Sequence, residues 1–272
     1  MTSIIQWNAQ GISNKKEELI ELINTFNCSI VAIQETLLGS NSNFKIPKFS
    51  KLLKEGNFNR RYHGGGGLFI REDIPYEEIN LRTSLTAVAA RVTIKSTFTV
   101  CNIYLPPSQN VYLNDLNALY QQLPQPTLIL GDFNAHSPLW GHISTTTDTR
   151  GTMIENFINS NQLNLFNNHD PTRIEGLSET SIDLSMCSPR IQPEFEWSIL
   201  NSTHGSDHCP IIIQCDSSNH TPHTTPIQGW NIKLAMWNIY RSSPSWSNPP
   251  DITESENISI LTEDQTTCLL FT

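Results

Sequence analysis

Zinc-binding cysteine pairs are missing from this 272-residue chain. Its six cysteines fall in no CxxC and no Cys/His spacing, which excludes a structural zinc module. Cys101, Cys187 and Cys209 instead lie in or beside apolar runs, as small buried hydrophobes of a reducing compartment do. No charged start leads into an apolar stretch, so no secretory leader is expected, and glycosylation sequons such as those at Asn27, Asn201 and Asn257 read as chance. No run is long enough to span a bilayer. Basic charge is scarce too: 17 Lys and Arg stand against 26 Asp and Glu, a net charge of −9. Overall charge therefore names no nucleic-acid partner. Lys45, Lys48, Lys51, Lys54, Arg60 and Arg61 do gather in one stretch, which reads first as a solvated loop and second as a phosphate footprint. Gly64 to Gly67 are followed by a strand-like Leu-Phe-Ile, not by Lys-Ser/Thr and a helix. That excludes a phosphate-binding P-loop and leaves a flexible lead-in to a strand. There are no internal repeats.

What is present is enough apolar sequence for one large domain or a domain with a tail. Ser3–Ala9 reads as a strand, Asn14 as a helix cap with Glu17 at the capping-box position, and Leu19, Leu22, Ile23 and Phe26 as the buried face of that helix. Ser29–Ile33 is a second strand, so the unit is strand–helix–strand and its two strands are expected to be parallel. Their polar ends, Asn8 and Glu35, then share one edge of a sheet. Residues 40–62 read as a polar, basic loop. Val88–Ile94 and Phe98–Leu105 are strands joined by a short turn, the second stopped by Pro106 and Pro107. Leu116, Leu119, Tyr120 and Leu123 mark a helix, and Thr127–Leu130 a buried strand ending in Gly131-Asp132-Phe133-Asn134. A helix through Met153–Ile158, a loop over Asn167–Glu179 and strands at Phe195–Leu200 and Ile211–Cys215 complete the domain, placed at residues 1–216. From 217 to 272 the composition turns to Ser, Thr, Pro, Asn and His. It reads as a linker-like, poorly ordered tail with a small docking helix around Trp230, Trp237 and Tyr240. From Asp251 on, the tail carries five acids and no Lys or Arg.

The polar residues that end or interrupt apolar strands form an oxygen-rich set: Asn8, Glu35, Tyr104, Asp132, Asn134, Asp183, Asp207 and His208. Polar groups placed at strand ends are aimed at a ligand rather than into a core. Hard oxygen donors suit Mg²⁺ or Mn²⁺, with water and a substrate phosphate completing the shell. Asp207 and His208 are adjacent, so on a strand they point to opposite sides. Asp183 is then available to orient the imidazole.

Trp-Asn-Ala-Gln-Gly from Trp7, Gln-Glu-Thr from Gln34, Asn-Ile-Tyr-Leu-Pro-Pro from Asn102, Gly-Asp-Phe-Asn-Ala-His from Gly131, Ser-Ile-Asp-Leu from Ser181 and Ser-Asp-His-Cys-Pro from Ser206 follow one another in a fixed order. Over roughly residues 3–215 this order resembles the endonuclease/exonuclease/phosphatase superfamily. Within it, the order is most similar to the endonuclease domain of jockey-like non-LTR retrotransposons. Trp140-Gly141 and the segment Trp230–Trp237 add to that likeness. The resemblance implies a four-layer α/β/β/α sandwich of two packed mixed sheets flanked by helices, and a DNA partner. It also implies a Mg²⁺- or Mn²⁺-dependent phosphodiesterase leaving a 3′-hydroxyl that primes reverse transcription, in the nucleus, on a detached or truncated element protein. It implies Glu35 as principal metal ligand, with Asn8 beside the metal and Asp207 as a further ligand or orienting acid. Asp132 and Asn134 would handle the attacking water and a phosphate oxygen. His208, oriented by Asp183, would meet the scissile phosphate, and Tyr104 the phosphate or leaving group. Gln10 stands where repair nucleases of the superfamily carry an Asp, which argues against the repair reading.

Taken singly, each of these residues has a plainer role: Asn8 and Asn134 as turn formers, Tyr104 as a core aromatic, Asp183 as a solvent-facing strand residue, His136 and His142 as loop residues. Trp140 can stack on a base or pack beneath the Asp132 loop. Arg173 is a DNA contact by position only. Two other functions remain open: a phosphatase- or sphingomyelinase-like hydrolase on the same scaffold, and a non-catalytic nucleic-acid-binding relic.

Overall fold

The computed structural model describes residues 2–39, 42–56, 64–142 and 145–215. The tail expected from 217 on, with its docking helix, lies outside them, as do Arg60 and Arg61. In chain order the elements are β1 (Thr2–Asn8), α1 (Lys16–Thr25), β2 (Cys28–Gln34), β3 (Phe49–Lys54), β4 (Gly66–Arg71), β5 (Tyr76–Ile79), β6 (Thr86–Thr93) and β7 (Thr97–Tyr104). They continue with α2 (Leu113–Tyr120), β8 (Thr127–Asp132), α3 (Thr149–Ser160), β9 (Asn164–Leu165), β10 (Arg173–Glu175), β11 (Ser178–Thr180), β12 (Asp183–Cys187), β13 (Phe195–Ile199) and β14 (Ile211–Cys215).

Two six-stranded sheets result, ordered β13-β14-β1-β2-β4-β3 and β5-β6-β7-β8-β12-β9. Each has one parallel pair at its middle, β1 with β2 and β7 with β8, flanked by antiparallel neighbours. Strand alternation explains the layering. Along β1, Ile4 joins the apolar layer between the sheets, where Ile30, Leu68, Val100, Leu128 and Ile213 also sit. Its neighbours Ile5 and Trp7 face the other way, onto Leu19, Leu22 and Ile23 of α1. On the second sheet Leu128 and Leu130 face inward, while Ile129, with Cys101, Ile103 and Met186, packs on α2 and α3. The chain is thus the expected α/β/β/α sandwich.

Three local expectations need correction. Asn14 does not cap α1: it lies inside a 3₁₀ turn, Ser13–Lys15, and no side chain among the described residues caps the helix that follows. Within residues 40–62, β3 forms an edge strand paired, among the described residues, only with β4. Its outer side meets solvent, so it tolerates a lysine-rich sequence in which only Leu52 is buried. Within the loop expected at 167–179, β10 and β11 close a hairpin. Neither strand was legible because neither has a buried face to impose alternation.

The same alternation positions the polar ends. Asn8 lies two residues beyond Gln6 and four beyond Ile4, so it faces the inter-sheet cleft. Asp132 follows Leu128 and Leu130 in the same way. The registers Tyr104↔Asp132 and Asp183↔Asp132 align three strand ends at one end of that cleft.

Candidate active site

Asp132 is the hub, with 1% of its surface exposed. Its Oδ2 accepts from Asn8 Nδ2 at 2.8 Å and its Oδ1 from the backbone N–H of Asn134 at 2.9 Å. The same Asn8 amide donates to Glu35 Oε1 at 3.2 Å, and the Tyr104 hydroxyl donates to that oxygen at 2.7 Å. Asn8, from the first sheet, therefore bridges two carboxylates, one just past β2 and one ending β8. Its own Oδ1 accepts from Gln10 N–H at 3.1 Å. Glu35 (φ 49°) and Asn134 (φ 46°) both sit in the left-handed region, unusual for residues with a Cβ and common where the backbone is held for function. The Asn134 carboxamide donates to Leu105 O at 3.1 Å, tying the β8 turn to the chain that leaves Tyr104.

On the other side of Asp132 is a buried Asp–His pair. His208 Nδ1 lies 2.7 Å from Asp183 Oδ2, and Thr172 Oγ1 donates to that same oxygen at 2.7 Å. With Nδ1–H given to a carboxylate, the outer ring nitrogen is the one left for a substrate. Trp7 Nε1 donates to His208 O at 3.0 Å, and Ser206 Oγ donates to Asn8 O at 2.8 Å, so the loop carrying His208 is stitched to β1. Ligand atoms of Asp132, Asp183 and His208 lie within 4.8 Å of one another.

Crowding three acids around one imidazole shifts its titration. Burial lowers the pKa of His208, but the charge of Asp183, its hydrogen bond, and the charges of Asp132 and Asp207 outweigh that and raise it to about 9. Burial, then the charge of Asp183, raise Asp132 to about 7, against His208 and the hydrogen bonds from Asn8 and Asn134. Burial also raises the Tyr104 phenol, as does the neighbouring Glu35, so the hydroxyl stays a donor. The pair holds protons that free side chains would have lost, and a cation beside it would release the one on Asp132.

The donor set suits a hard divalent cation. Asp183 Oδ1 and Asp207 Oδ1 are buried and lack a hydrogen-bond partner among the described residues, and carboxylate oxygens so placed need a positive charge or water. Asp207 Oδ1 stands 3.5 Å from His208 Nε2, too long for a good hydrogen bond, while its Oδ2 is held by Arg173 Nε at 2.8 Å.

The structure thus brings Asn8, Glu35, Tyr104, Asp132, Asn134, Asp183 and His208 together, with Asp207 against the outer face of His208. Two expected substrate contacts are placed differently. Trp140 is fully buried among Phe133, Ala135 and Phe157 and donates to Ala135 O at 3.1 Å, so no face of it is open to a base. That bond and the shared apolar cluster with Phe133 and Ala135 place it beneath the Asp132 loop. Arg173 is engaged with Asp207 and with Glu175 Oε2 at 2.6 Å, making it first a partner of the site's own acid. His136 pairs with Asp148 at 2.9 Å, a loop contact.

A polar layer one pleat below the site was missed. Gln6 Nε2 donates across the sheets to Gly131 O at 3.1 Å and Leu184 O at 3.2 Å, and Ser185 Oγ to Gln6 Oε1 at 2.7 Å. Asn102 Nδ2 donates to Ile33 O and Gly67 O, both at 2.8 Å, and Gln34 Nε2 to Asn102 Oδ1 at 2.5 Å. The sequence signal for this layer is a lone amide inside an otherwise apolar strand, as in Ile-Ile-Gln-Trp and Val-Cys-Asn-Ile.

Comparison with known proteins agrees with this fold. The family described as endonuclease-reverse transcriptase matches residues 98–212. The RNA-directed DNA polymerase from mobile element jockey of Drosophila melanogaster is 22% identical over 228 residues, 82% of this chain and 24% of that protein. A probable RNA-directed DNA polymerase from transposon BS, also of D. melanogaster, is 23% identical over 82% of this chain and 25% of its own length. The chain spans about a quarter of the curated relatives it matches. Among solved structures, the endonuclease domain of TRAS1, a telomere-specific non-LTR retrotransposon, superposes with a TM-score of 0.64 at 18% identity, covering 78% of this chain and 96% of that one. A variant of the 3′ phosphatase NExo from Neisseria, bound to product DNA hairpin, superposes at 0.60 with 14% identity over 79% of this chain and 100% of that one.

Proposed function

We propose that the chain belongs to the endonuclease/exonuclease/phosphatase superfamily, beside the jockey-like non-LTR retrotransposon endonucleases that it resembles, and that it is a Mg²⁺-dependent endonuclease nicking DNA to leave a 3′-hydroxyl. The observation that carries this reading is the meeting of the buried Asp183–His208 pair with the Asn8–Asp132–Asn134 cluster at one end of the inter-sheet cleft.

Glu35 and Asp207 would hold the metal, with Asn8 steadying Glu35. The metal would supply positive charge to the phosphate oxygens as negative charge develops on them. Asp132, anchored on both oxygens, orients a water for in-line attack and draws off its proton. Asn134 holds that water or a phosphate oxygen. His208 presents its outer N–H to the scissile phosphate as a charge-stabilising donor, kept protonated and oriented by Asp183. Tyr104, whose hydroxyl already donates to Glu35, lies where the phosphate or the leaving 3′-oxygen would be met. In a mobile element that 3′-hydroxyl would prime reverse transcription, which would place the protein's work in the nucleus.

Supercoiled plasmid tests the proposal. Wild-type protein should convert it to the nicked form in Mg²⁺ and not in EDTA, and His208→Ala and Asp132→Ala should abolish conversion. Intact supercoil under both Mg²⁺ and Mn²⁺ would overturn the nuclease reading. The joining of Asn8, Glu35, Tyr104, Asp132 and Asn134 in one hydrogen-bond network supports catalysis over a merely binding relic. In the domain arrangement that we propose, residues 1–216 form the catalytic unit.

A further inference from the structure

We propose that Arg150 is a positioning residue for the phosphodiester cleavage proposed above, acting through the backbone carbonyls that seat Tyr104 and Asn134; the proposal rests on that nuclease reading. Arg150 is the second residue of α3, where a positive charge is disfavoured by the helix dipole. Something other than the helix must therefore hold it there. Its Nη1 donates to Leu105 O and Pro106 O, both at 3.1 Å, and at 3.4 Å to Phe133 O. Its Nη2 donates to Pro106 O at 3.1 Å, Pro107 O at 3.3 Å and Gln109 O at 2.6 Å.

This segment needs such a partner. Two consecutive prolines supply carbonyls and no N–H; Gln109 N–H closes one turn onto Pro106 O at 3.0 Å, and Arg150 takes Leu105 O, Pro107 O and Gln109 O besides. A forked guanidinium can serve several carbonyls at once, whereas an ammonium is a point charge without that geometry. The key atom is Leu105 O, which accepts from both Arg150 and the Asn134 carboxamide. Phe133 O ties the same guanidinium to the turn between Asp132 and Asn134. Arg150 thus sits behind both residues without touching the cluster itself. Its neighbours fix it in place. Asp148 caps α3 by accepting from Gly151 N–H and also holds His136, and a Cβ on Gly151 would collide with His136 O. The Asp148-Thr-Arg-Gly151 run is therefore built to bring the start of α3 against the loop that follows Asn134.

Removing the fork should displace Asn134 and Tyr104 by a fraction of an ångström. In steady-state nicking, Arg150→Lys and Arg150→Met should lower kcat about 10- to 100-fold while KM for DNA stays nearly constant. The loss should not multiply with that of Asn134→Ala in the double variant, and guanidinium ion should restore part of the rate of Arg150→Ala. Wild-type kcat in Arg150→Lys and Arg150→Met, or losses that multiply with Asn134→Ala, would overturn the proposal. Hydrogen exchange read on the same proteins separates this idea from the nuclease reading. Faster exchange confined to residues 105–109 and 131–136 supports positioning even if wild type cuts no DNA. Unchanged exchange in both segments, or global loss of protection in Arg150→Lys, overturns it.

Discussion

His208 stands between two acids of unequal standing: Asp183 binds its inner nitrogen at 2.7 Å, while Asp207 faces the outer one at 3.5 Å and is itself held by Arg173. Replacing Asp183 with Asn keeps the shape and removes the charge that holds the imidazole protonated. Asp183→Asn should slow plasmid nicking roughly 10²- to 10⁴-fold with little change in DNA affinity. The pH dependence follows from the same contacts. His208 loses its proton near 9, so nicking should fall above that pH. In the proposed mechanism Asp132 draws on the water in its ionised form, so the acid limb should lie at or below about 7, moved down by bound metal. Stability has its own sign. Both groups have folded pKa values raised above their unfolded ones, so both favour the folded state at low pH. That contribution fades from about 4 to 7 for Asp132 and from about 6.5 to 9 for His208. Metal-free protein should therefore lose melting temperature as pH rises across this range, and Asp132→Asn should flatten the part below 7. A melting temperature that climbs from pH 5 to 9 without metal would contradict this account.

At the scale of elements, the β7–β8 pair tolerates little change at Gly131. A Cβ there would run into Ile103 O, a clash that no side-chain rotation can relieve because the obstacle is backbone. Gly131→Ala should cost about 1–3 kcal/mol or more in urea denaturation and reduce nicking together with stability, since Asp132 follows directly. Trp140, whose indole packs under the β8 turn, makes the opposite case. Trp140→Phe should lose about 1 kcal/mol with the bond to Ala135 O, while Trp140→Ala should lose about 3–5 kcal/mol. Phe at 140 should leave the affinity for single-stranded and duplex DNA unchanged; a weakened affinity in a stable Trp140→Phe protein would return Trp140 to the substrate surface.

For the whole molecule, the two sheets are joined by apolar contact and, next to the site, by the amide layer of Gln6, Gln34 and Asn102. Asn102→Leu would leave Ile33 O, Gly67 O and Gln34 without their partner, at about 1–3 kcal/mol for each orphaned group. The loss should appear as a lower denaturation midpoint, with nicking recovered in the fraction that remains folded. Metal should act on the same scale. At a hundred times its dissociation constant, Mg²⁺ would add about 2.7 kcal/mol to folding, and Glu35→Gln should remove most of that gain in a thermal melt.

The sequence alone determined which polar residues lie at the strand ends. Asn8, Glu35 and Asp132 follow apolar runs and His208 precedes one, so each marks where a stretch of core sequence stops or starts. It also determined the parallel β1–β2 pair, because a helix with one apolar face lies between two apolar strands. Only the tertiary structure decided how those ends meet. That Asn8 bridges Glu35 and Asp132, that Trp140 lies beneath the turn, and that Arg173 engages Asp207 depend on contacts between residues far apart in the chain. Periodicity reports which way a side chain faces and not what stands opposite it. The hairpin β10–β11 and the edge strand β3 stayed hidden for the complementary reason. With solvent on their outer sides, nothing in burial imposed a pattern on their residues.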